Sequence, residues 1–94
     1  VTRTSWQTIE EEMAMELLAL LSTTPAQLIL LAKDLDIAAH ELHPLIRILN
    51  SQAFGVLVGR HDGKACVWVS ERTWPNAEAA AAGYVRHTER NSLL

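Results

Sequence analysis

The chain has 94 residues, 49% of them hydrophobic and 20% charged, with a formal net charge of −3. That length suits one domain with a modest core, and the composition excludes a disordered chain. The negative balance argues against a protein that grips phosphate backbones over a wide surface.

Charge is unevenly spread. Residues 1 to 35 hold Glu10, Glu11, Glu12, Glu16 and Asp34 against Arg3 and Lys33. From Asp36 to Arg72 the acids Asp36, Glu41, Asp62 and Glu71 are matched by Arg47, Arg60, Lys64 and Arg72. Cys66 is the only cysteine, so an internal disulfide and a zinc-binding Cys pair are both excluded, and a reducing compartment fits best. Glu16, Gln27, Lys33 and Asp34 interrupt the longest apolar stretches before any reaches bilayer length, and no basic segment leads into an apolar core as in a signal peptide. A cytoplasmic protein without membrane contact is the expectation. Val1 stands where a methionine would initiate, which leaves open a processed protein or a piece of a longer one.

The first helix is expected to start at Thr8, which is followed three residues later by Glu11 in the spacing of a capping box. Acids at 10 to 12 suit the positive end of the helix dipole. Ile9, Met13, Leu17, Leu20 and Leu21 recur at spacings of three and four and predict the inner stripe, widened by Ala14, Met15 and Leu18. The second helix is expected to follow directly, with Thr24 as N-cap, Pro25 at the first helical position and Gln27 at the capping-box position. Leu28, Leu31, Ala32 and Leu35 give its buried side, and the additional Ile29 and Leu30 suggest burial between other elements. Its end falls near Asp34 to Asp36.

A third helix is expected from about Ala38 to about Gln52, with Leu42, Leu45, Ile46 and Leu49 inward. A proline deep in a helix costs roughly 3 kcal/mol, so Pro44 demands either a regular helix starting as late as Leu42 or His43, or a kink. An irregular first turn is the preferred reading. After Gln52 the period changes to two, and Asp62-Gly63 signals a two-residue hairpin loop. That loop pairs Arg60 with Ala65, Val58 with Val67 and Val56 with Val69 on the core face. Trp68, opposite Leu57, falls on the other face, exposed or covered by another segment. Trp74-Pro75-Asn76 then opens an alanine-rich helix weakened at Gly83.

Helix, helix, short turn, helix and hairpin in this order resemble the winged helix-turn-helix superfamily. Leu31-Ala32-Lys33-Asp34-Leu35 looks like its second helix, Asp36-Ile37 its turn, and Leu42, Ile46 and Leu49 its inward positions on the third helix. Ala53-Phe54 stands at the exit and Arg60-His61-Asp62-Gly63-Lys64 at the wing tip. The resemblance implies an α+β fold, with a winged helix-turn-helix domain over residues 1–72 and a C-terminal helical extension over 73–94 for packing or dimerisation. It also implies a noncatalytic double-stranded DNA-binding domain, in transcriptional regulation, without cofactor or metal. The same scaffold serves elsewhere as a protein-protein docking or assembly module.

In DNA-binding relatives the third helix enters the major groove and the wing meets the backbone or the minor groove. Carried onto this chain, His40, Glu41, His43 and Arg47 face bases, while Arg60, His61 and Lys64 face phosphates or the minor groove. Each of these charges is equally explained as solvated surface. His40 and His43 lack a third partner for a metal, and Cys66 lacks an activating neighbour for nucleophilic chemistry. Trp68, Trp74, Ala79, Ala82, Tyr84 and Val85 are the candidates for homodimerisation or another protein contact, and packing within the chain accounts for them as well.

Overall fold

In the computed structural model the backbone is described for residues 5–92 and the side chains for residues 9–86. Helix α1 spans Ser5–Leu20, so it begins a turn earlier than Thr8, which lies within the helix backbone. The Thr8 side chain, and with it the expected cap, lies outside the described side chains. At about 100° per residue, Ala14, Leu17, Leu18 and Leu21 fall on one arc, and all four are buried. Ile9 and Leu20, expected inside, lie beyond the edges of that arc and are 54% and 43% exposed.

The next segment departs furthest from expectation. Ala26–Gln27 forms a short strand, β1, and the second helix, α2, covers only Leu28–Asp34. Pro25 is therefore not the first residue of a helix, and Thr24 is not its N-cap. Ser22 Oγ instead accepts the Thr24 N–H at 3.1 Å, and the Ser22 carbonyl accepts the Val69 N–H at 2.8 Å. The cause is tertiary: strand β3 (Lys64–Val69) carries buried Val67 and Val69, whose backbone groups on the side away from the hairpin require partners. Ala26 opposite Val67 and Gln27 opposite Cys66 supply them, overriding a local helix signal.

α2 buries Leu28, Leu31 and Ala32 against β1, β3 and the turn that follows, while Leu35 is half-buried. Ile29 and Leu30 were expected to be covered and are 66% and 52% exposed, because the short helix packs on one side only. It closes with the Asp36 N–H on the Lys33 carbonyl and the Ile37 N–H on the Ala32 carbonyl, a Schellman arrangement with Asp36 in the left-handed region at φ 57°. Asp36-Ile37 is thus the turn between helices, as the sequence indicates.

A 3-10 turn over Ala39–Glu41 leads into α3, Leu42–Ser51. Pro44 is the third residue of the α-helix. Its missing N–H falls among the first-turn donors that have no carbonyl partner within the helix, and the irregular turn before it removes the steric conflict. Leu42, Leu45, Ile46 and Leu49 are buried as expected. The helix ends in a second Schellman arrangement, with the Ala53 N–H on the Asn50 carbonyl and the Phe54 N–H on the Leu49 carbonyl. Here the left-handed position, φ 67°, is held by Ala53.

Strand β2, Val56–His61, pairs antiparallel with β3 in the expected register: Val56 with Val69, Val58 with Val67, Arg60 with Ala65. Asp62 and Gly63 both have positive φ, 53° and 76°, as a two-residue loop of this kind requires. Val56, Val67 and Val69 are buried, whereas Val58 on the same face is 47% exposed because the core ends below it. The sheet order is β1-β3-β2. Helix α4, Trp74–Ser92, starts after a turn in which the Trp74 N–H and the Thr73 Oγ1 both donate to the Ser70 carbonyl. α4 packs on one flank of α1 and α3 packs against it as well, with Ala77 and Ala81 joining the core. The result is an α+β domain with four α-helices and a three-stranded antiparallel sheet among the described residues, broadly compatible with a winged-helix arrangement.

Two opposite substitutions are expected to stabilise this fold. Ala53→Gly relieves a left-handed alanine and is expected to add about 0.5–1 kcal/mol. Gly83 lies inside α4 with open space where a Cβ would stand, so Gly83→Ala is expected to add about 1 kcal/mol. Urea denaturation of each variant measures both, and a lower midpoint for either contradicts the corresponding assignment.

Candidate nucleic-acid interface

The outer face of α3 is built by the same periodicity that buries its inner face. With Leu42, Leu45, Ile46 and Leu49 inward, His43, Arg47, Asn50 and Ser51 recur at spacings of four, three and one and are all exposed. Arg47 sits mid-helix, one turn from His43 and one from Ser51. An exposed guanidinium there can make paired hydrogen bonds to a planar acceptor.

The other two residues expected to face bases do not share this row. His40 and Glu41 are on the 3-10 turn, exposed, and line a hollow with Glu10 and Met13 of α1 and with Ile37, Pro44 and Leu45. Glu10 and Glu41 make this end of the surface acidic, which repels phosphate.

At the hairpin tip Arg60, His61 and Lys64 are exposed. Strand alternation puts Arg60 beside Ala65 on one face of the hairpin and His61 beside Lys64 on the other, so Arg60 and Lys64 start from opposite faces. Arg60 Nη1 donates to the Gly63 carbonyl at 3.4 Å, and His61 Nε2 stands 3.9 Å from Asp62 Oδ2. Lys64 borders a hollow shared with Gln27, Ile29 and Ala39, on the side of α2.

One residue that sequence reasoning passed over joins these parts. Asn50 Oδ1 accepts the Val56 N–H at 2.8 Å, and Asn50 Nδ2 donates to the Val56 carbonyl at 3.1 Å. Because the Ser70 N–H bonds the Gly55 carbonyl, the polar backbone groups of Val56 point away from β3. Asn50 meets both, as a neighbouring strand would. An asparagine at the end of a helix, shortly before a strand, is the only sequence signal for this, and it is a weak one.

The residues expected to mediate protein contacts separate into two places. Trp68 is half-buried, and no other segment is needed to cover it: the indole lies across Gly59, where a Cβ would come within 2.8 Å of Trp68 Cη2. Cys66, on the same face, is buried, with its Sγ 3.5 Å from the Lys64 carbonyl. Trp74, Ala82 and Val85 line a groove between α1 and α4, with Ala79 exposed beside them and Tyr84 half-buried. Among the described residues no group of three or more His, Cys, Asp or Glu is placed to hold a metal ion, and no helix is long and apolar enough to cross a membrane.

No protein-family profile, curated protein or solved structure matches the chain.

Asn50→Ala deletes both bonds to Val56 and leaves that residue's backbone groups to water. A loss of about 1–2 kcal/mol in urea denaturation is expected, with faster amide exchange at Val56. Unchanged exchange at Val56 would show that the clamp does not hold the hairpin.

Proposed function

We propose that this chain is a noncatalytic winged helix-turn-helix domain that binds double-stranded DNA, in transcriptional regulation within a reducing, cytoplasmic compartment, and needs no cofactor. α3 enters the major groove with Arg47 and His43 toward base edges. The wing tip meets the backbone through Arg60, or through Lys64 and His61, according to which face of the hairpin is turned to the duplex. The observation that supports this reading is the outer face of α3, where His43, Arg47 and Ser51 form a polar, exposed row on a helix tied to the hairpin by Asn50. An arginine in such a row can donate two hydrogen bonds to a guanine, and wing cations supply salt-sensitive attraction.

A second reading, a winged-helix module that docks proteins without touching DNA, draws on a different observation. Leu20, Ile29 and Leu30 are exposed around α2, an apolar flank that a DNA-binding surface does not explain.

Binding to random and genomic duplex pools distinguishes the two. Affinity is expected to fall with rising salt. Arg60→Ala with Lys64→Ala is expected to weaken binding to all sequences and reduce the salt slope by about one to two. Arg47→Ala is expected to cost about tenfold or more on a preferred sequence and little on random duplex. No binding to any duplex at low salt overturns the DNA reading.

A further inference from the structure

Between the end of α1 and α4 runs an open groove of about 640 Å³. Leu18, Leu21 and Ala81 form its buried floor, and Trp74, Ala82 and Val85 its sides, with Val85 41% exposed. On α4 the lining residues recur at spacings of three and four, and the two alanines allow a second backbone to approach closely.

Two charges border this row. Glu78 and Arg86 are exposed and stand eight residues apart on α4, about 12 Å along the axis, too far to pair within one chain. Arg86 lies along its own helix, with Nε donating to the Ala82 carbonyl at 3.3 Å. Glu78 and Arg86 are each four residues from Ala82. A two-fold axis through Ala82 that brings two α4 helices together antiparallel therefore places each Glu78 opposite the Arg86 of the other copy, twice over.

We propose that the groove is occupied by α4 of a second copy of this chain, in an antiparallel two-fold dimer centred on Ala82 and held in register by the two Glu78–Arg86 pairs. An isologous interface needs a surface complementary to itself, and Glu78 and Arg86 on either side of Ala82 make this one so in charge. The apolar floor supplies attraction, while the charges oppose the parallel arrangement, which would set Glu78 beside Glu78 and Arg86 beside Arg86. The inference is independent of DNA binding.

Sedimentation equilibrium of the chain, without DNA, tests it. The native chain is expected to dimerise with concentration, more weakly at high salt. Glu78→Arg puts two positive charges, and Arg86→Glu two negative ones, where a pair of opposite sign borders the groove, so each alone is expected to weaken dimerisation about tenfold or more. Both side chains are exposed, and each variant is expected to keep the native helical circular dichroism. Mixing the two variants in equal amounts is expected to restore a dimer, as is the double variant E78R/R86E by itself. A purely structural role for either residue would produce no such rescue. A native chain that stays monomeric at all soluble concentrations overturns the proposal. So do single variants that dimerise as the native chain does, or mixtures that remain monomeric.

Discussion

Asn50 ties α3 to the hairpin by hydrogen bonds, beside the core that Leu42, Leu45, Ile46 and Leu49 share with Val56, Val67 and Val69. Alternate residues of an edge strand turn their N–H and C=O groups outward, and Asn50 satisfies both groups of Val56 from the end of α3. From Val56 the hydrogen bonding continues through β2 into β3, and from β3 into β1, which leads directly into α2. The two Schellman turns, at Asp36 and at Ala53, fix the directions in which the chain leaves α2 and α3. Helix, turn, helix and hairpin are therefore held as one unit, the property a surface needs if it is to meet a ligand at two separated places with defined geometry.

α1 is the spacer in this arrangement. α3 packs against it and so does α4, and its buried residues Leu17 and Leu18 are among the least exposed in the chain. The outer row of α3 and the groove beside α4 thus belong to different helices, each of which packs on α1. A ligand on one need not displace a ligand on the other. The acidic residue at the edge of α1, Glu10, also has a directional effect: together with Glu41 it makes the start of α3 unfavourable for phosphate. Any approach of a polyanion is thereby turned toward Arg47 and the later part of the helix.

What could be read in advance follows the range of the interactions involved. The hairpin register was legible because alternation and the Asp62-Gly63 loop are local, and the inner row of α3 was legible from its spacing. Pro44 likewise pointed to the irregular turn that precedes Leu42. β1 was not legible: a two-residue strand has no period, and it forms only because Val67 and Val69, some forty residues later, need backbone partners. The exposure of Ile29, Leu30, Ile9 and Leu20 was missed for a related reason, since apolar periodicity marks faces that can be buried but not which of them find a neighbour. The exposed row containing Arg47 was implicit in the inward positions. The divergence of Arg60 and Lys64 was implicit in the register too, although residue type alone grouped them. Asn50 was hidden because its role exists only between elements.

The proposed function requires the outer face of α3 and the tip of the hairpin to meet DNA together. Backbone amide chemical shifts followed by NMR while duplex DNA is added test it most directly. Shifts are expected to concentrate at His43, Arg47, Asn50 and Ser51 and at residues 60–64, with α4 unaffected. Shifts confined to α2 or to the groove between α1 and α4, or no shifts at all at low salt, would contradict it.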